Sequence, residues 1–67
     1  MTTFEYEVVV PIKDEDEKVV ELKTIKRDTG VWPKPTRDKL LVENAEAIKE
    51  LKVDPSEVVT NIRPFCG

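Results

Sequence analysis

The sequence predicts a small α+β domain of order β-β-α-β, an antiparallel sheet with one helix packed on one face. Three observations predict it. Phe4, Tyr6, Val8 and Val10 alternate with Glu5, Glu7 and Val9 at the period of a half-buried strand. Leu40, Leu41, Asn44, Ala45, Ile48 and Leu51 recur at i, i+3, i+4, i+7, the stripe of an amphipathic helix. Val58, Val59, Thr60 and Ile62 then restore β-branched content near the C-terminal end.

The first strand is expected to stop at or near Pro11, which has no N–H for a ladder. Four consecutive acids, Asp14, Glu15, Asp16 and Glu17, repel one another and belong in an exposed loop. A second strand is expected over Lys18–Lys26, where Val19, Val20, Leu22 and Ile25 fall, pairing back on the first as a hairpin. Gly30 and Pro33-Lys34-Pro35 break regular structure. Each proline pushes the residue before it, Trp32 or Lys34, into extended geometry, so 31–35 should be a stiff, polyproline-like connector. Thr36 is the natural N-cap of the helix, with Asp38 in its first turn. A short strand over Lys39–Val42 with Asn44 capping a shorter helix is the alternative. Residues 54–64 carry two signals: Asp54, Pro55 and Glu57 form a helix start, whereas the β-branched residues after them favour a strand from Glu57 to Arg63. A lone two-stranded hairpin is not stable in water, which favours the strand.

A chain of 67 residues makes at most one domain, spanning 1–67. Such a domain buries only about 60% of the surface its unfolded chain exposes, so its core has little margin. An apolar fraction of 39% is too high for a disordered acidic tail. Cys66 is the only cysteine, which rules out an intrachain disulfide and suits a reducing compartment. No apolar run is long enough to span a membrane, and Met1–Val10 lacks the basic region of a signal peptide. A cytoplasmic location is the expectation.

Chemistry-bearing groups are scarce. There is no histidine, hence no imidazole base or metal ligand. Ser56 sits beside Pro55, where a capping or turn role suffices, and two glycines 37 positions apart make no phosphate loop. The acidic run lacks the glycine and the alternating spacing of a calcium loop. The expectation is no enzyme, no catalytic residue, no metal, no cofactor and no small-molecule substrate.

Charge is segregated. Residues 1–22 hold seven acids and two lysines, a net −5; residues 23–39 hold six bases and two acids, a net +4. The basic segment contains Trp32, the single tryptophan. Two readings of it stand: the indole plugs one end of the core, or it stays exposed as an interface anchor. Tryptophan and arginine dominate interface hot spots. Candidate partner-binding residues are therefore Trp32 as anchor, Lys34, Arg37 and Arg63 facing an acidic surface, and the Asp14, Glu15, Asp16 and Glu17 loop facing a basic one. The rival is nucleic-acid or regulatory binding through 23–39, although an overall charge of −3 is a weak footprint for it. An assembly factor of a larger particle is a third reading.

Val59-Thr60-Asn61-Ile62-Arg63-Pro64, followed by Phe65-Cys66, resembles the "VTRVRPC" last strand of the small RNA polymerase inhibitors of T7-like phages. Arg63 falls at the second arginine of that stretch. Asn61 replaces the first, and Phe65 is extra. The likeness covers about ten residues of 67, and the hairpin and the Trp32 connector have no counterpart in it. It implies a small, non-catalytic, phage-encoded host-takeover protein. Such a protein would bind a host component, for example the transcription machinery, as an inhibitor or a regulator.

Overall fold

The computed structural model describes residues 2–66. Two long strands, β1 (Thr3–Lys13) and β2 (Val19–Val31), form the hairpin, and β3 (Val59–Phe65) pairs with the other side of β1. The sheet is antiparallel with order β2-β1-β3, so the hydrophobic alternation of Phe4–Val10 lies on its central strand. Tyr6, Val8 and Val10 point to one face and are buried. There they meet Leu40 and Ile48 from the helices and Val58 from the approach to β3.

The single predicted helix is instead two short ones, α1 (Arg37–Glu43) and α2 (Ala45–Glu50), divided at Asn44. The cause is local. Asn44 has left helical geometry, with φ −110°, and its side-chain amide donates to the Leu40 carbonyl at 2.8 Å. The same carbonyl also accepts the Asn44 backbone N–H at 3.1 Å, so both groups of Asn44 close the last turn of α1. Each short helix supplies one buried side chain to the core, Leu40 from α1 and Ile48 from α2, both 2% exposed. Thr36 caps α1 as expected, accepting from the Lys39 N–H at 3.3 Å. No strand forms over Lys39–Val42.

Residues 54–64 follow both of their signals in succession. Asp54 accepts from the Ser56 N–H and caps one 3₁₀ turn, Pro55–Glu57; β3 begins two residues later than expected, at Val59. Strand β2 also runs past its predicted end, to Val31. Phe4–Lys13 is opposed by Val19–Val31, ten residues against thirteen, and the register shifts three times. Each shift inserts one extra residue into β2, a β-bulge that twists the edge. Gly30, at φ +69°, lies at the first of them, so it bends the strand without ending it.

Pairing between β1 and β3 stops at Val9 and Val59. Beyond that point 10–13 and 19–23 continue as a two-stranded arm, and the chain is elongated, 46 × 20 × 14 Å. Lys13 on the arm forms an ion pair with Glu57.

Arg37 fastens the start of α1 to the turn before β3. Its guanidinium donates to the carbonyls of Val58, Pro55 and Ser56, the last two at 3.1 and 3.4 Å. Bonds from a charged donor contribute more than neutral ones, though partial exposure weakens them. Arg37→Met is expected to cost about 1–2 kcal/mol in urea denaturation. Arg37→Lys should recover only part, since an ammonium cannot reproduce the fork.

Candidate protein-binding site

Trp32 follows β2 directly, and the chain bends there. The bend spans Trp32 and Pro33, whose peptide is cis, and the connector is not the straight polyproline-like run expected from its prolines. The indole is 62% exposed, so it does not plug the core. With Pro33 and Pro35 it walls a crevice of about 80 Å³ floored by Tyr6 and Leu40, with Lys39 and Glu43 at the rim. Pro35 is buried and holds the connector against the domain. Lys34 places its ammonium 5.9 Å from the centre of the Phe4 ring, a cation–π contact that keeps a positive charge near Trp32.

The other candidate residues do not join this group. Arg37 is turned inward to the three carbonyls described above, so its guanidinium is committed within the chain. Arg63 lies on the helix-free face of the sheet, where its Nε forms an ion pair with Glu5 Oε1 at 3.0 Å. Asp14, Glu15, Asp16 and Glu17 form the exposed turn at the tip of the arm. One Asp14 carboxylate oxygen accepts from the N–H groups of Asp16 and Lys18, and Glu17 takes a positive φ of 61°. Asp14 is thus a turn-forming residue. Phe4 pairs with Val31 beside Trp32, and Lys13 pairs with Val19 beside the tip. Nine residues of strand separate the two, about 30 Å. One contact surface therefore does not easily take in both Trp32 and the acidic loop.

The helix-free face carries a polar ladder that the sequence reading did not single out. Glu5 opposes Arg63, Glu7 opposes Asn61 and also Arg27, and the Asn61 amide donates to Glu7 Oε1 at 2.9 Å. The signal was available: acids two apart on one strand, and donors two apart on another, meet residue for residue once the strands pair antiparallel. Arg63 and Asn61 consequently share the outward face of β3.

Tyr6 is the one core group that titrates. Burial first, then the charges of Asp28 and Glu43, raise its phenol above the ordinary 10.0. Lys13 is raised above 10.5, chiefly by its hydrogen bond to Glu57. A group whose folded pKa is raised contributes stability below its unfolded pKa and loses it as pH rises through the folded value. Both therefore predict that thermal stability falls above pH 10. Tyr6→Phe should remove the phenol's share and flatten the alkaline limb, measured by melting from pH 8 to 11. Asp54 behaves oppositely. Its bonds from Ser56 lower it below 3.8, so its contribution is present above the unfolded value and lost as pH falls through the folded one.

Among the described residues no three His, Cys, Asp or Glu side chains are grouped to hold a metal ion, and no helix is long and apolar enough to cross a membrane. Comparison with known protein families, with curated proteins and with solved structures finds no match to this chain.

Proposed function

We propose that this chain is a non-enzymatic protein-binding module that docks through Trp32 and its proline frame. The observation that carries the reading is the exposure of the indole. A domain this small has few large apolar side chains, yet it leaves its biggest at 62% exposed on a braced connector. Indole surface held rigidly at a corner loses little side-chain entropy on binding, which is how interface hot spots gain affinity. Lys34 and Lys39 beside it favour a partner pocket rimmed by carboxylates.

The partner class follows from the resemblance of β3 to the phage polymerase inhibitors: a host protein, such as a component of the transcription machinery, that the module inhibits or redirects by steric blocking. Arg63 and Asn61, outward on β3, would form a second contact on the helix-free face. Fluorescence tests the anchor directly, since Trp32 is the only tryptophan. Its emission should be that of a solvated indole in the free protein and shift to the blue when a partner component lacking signal at that wavelength is added. An emission already blue and unresponsive would rule out the anchor. The nucleic-acid reading through 23–39 predicts a salt-sensitive gel shift with mixed DNA and RNA; the protein-binding reading predicts none.

A further inference from the structure

We propose that two copies of this chain associate through the free edge of β2, pairing residues 20–24 antiparallel about a two-fold axis at Leu22 to give one six-stranded sheet. Leu22 is 66% exposed, Val20 63% and Val19 53%, all on the arm beyond the reach of β3. Three exposed apolar side chains within four residues of an edge strand form a template for another strand.

Two prolines fix which backbone groups are free. Pro11 opposes Leu22 and Pro64 opposes Phe4. Neither can donate, so each sits at a non-hydrogen-bonded pair with its nitrogen turned away from its partner strand. Leu22 and Thr24 accordingly turn their N–H and C=O groups to the outer edge of β2, while Glu21 and Lys23 direct theirs to β1. A two-fold axis at Leu22 makes the Leu22–Leu22 pair hydrogen-bonded and sets Thr24 opposite Val20 of the second copy. It also sets Glu21 opposite Lys23, twice, in narrow pairs where side chains approach most closely.

Charged edge residues normally block such pairing; here the charges on one edge are complementary to those on its own copy. The ladder is bounded by the bulges at both ends, and Lys18 would face Lys26 just beyond it. The edge of β3 is a poorer site, since Pro64 interrupts it. A five-residue ladder buries less than about 1,000 Å², so the dimer is weak and concentration-dependent.

Charge exchange tests this without touching the core. Sedimentation velocity over a series from micromolar to millimolar should show the native chain passing from monomer to dimer. Glu21→Lys or Lys23→Glu places like charges together at both symmetric pairs and should raise the dissociation constant about tenfold or more. The double exchange, or an equimolar mixture of the two single variants, should restore association. Leu22→Cys in a Cys66→Ser background should cross-link on oxidation, because the paired Cα atoms would lie about 5.5 Å apart; Thr29→Cys should not. A native chain monomeric throughout, single variants that associate unchanged, or a double exchange that fails to recover would each overturn the proposal.

Discussion

Leu40→Ala should cost about 3 kcal/mol and lower the melting temperature by about 15 °C. Leu40 is 2% exposed and is the only buried side chain of α1. It packs in the core with Tyr6, Val8 and Val10 of the central strand. Among the described residues six buried hydrophobics make up the core. In a domain of this size the total margin is itself a few kcal/mol, so much of the variant population should be unfolded at 37 °C. Val42→Ala, on the same helix but 76% exposed, should stay within about 0.5 kcal/mol of the native chain. Urea denaturation with circular dichroism separates the two variants. Equal losses would mean that α1 does not pack on the sheet through Leu40.

Trp32→Ala should behave in the opposite manner, sparing the fold and removing affinity. The indole covers part of the crevice above Tyr6 and Leu40, so truncation should lower stability by less than about 1 kcal/mol. Partner affinity should fall by about 2 kcal/mol or more, roughly thirtyfold, as for an anchor residue at the centre of an interface. Trp32→Phe keeps a flat ring in the same frame and should recover a portion of that loss. Arg63→Ala probes the helix-free face separately. It breaks an exposed ion pair with Glu5, whose contribution to stability is small, so a loss of partner affinity there would assign β3 a contact of its own.

How much of this was legible in the sequence depends on how local each signal is. The hairpin itself, the cap at Thr36 and the core face of β1 follow from period and residue type, and the structure has them; Pro11, expected at the strand end, instead lies inside central β1, which runs on to Lys13. The broken helix does not follow, because Asn44 fits the stripe by position. The break shows only in the backbone, where Asn44 at φ −110° separates α1 from α2. The extent of β2 was hidden because Arg27, Asp28, Thr29 and Gly30 carry no apolar side chain, although Arg27 and Asp28 continue the register of Lys26. Among the candidate site residues, Trp32 and Lys34 share one end of the molecule as their proximity in sequence suggests. Arg37 resembled a free surface cation until the turn at Pro55–Glu57 was brought against it, a contact across 18 to 21 residues. The Glu5–Arg63 and Glu7–Asn61 pairs span more than fifty residues and depend wholly on strand register.

The most direct test of Trp32 as the anchor is a parallel capture from bacterial lysate with the native chain and Trp32→Ala at matched concentration, alongside melting curves of both. The expected result is a specific protein retained by the native chain and lost from the variant, while the two melting curves nearly coincide. Identical capture by both chains, or a variant that fails to fold, would contradict the assignment of Trp32 to a partner surface.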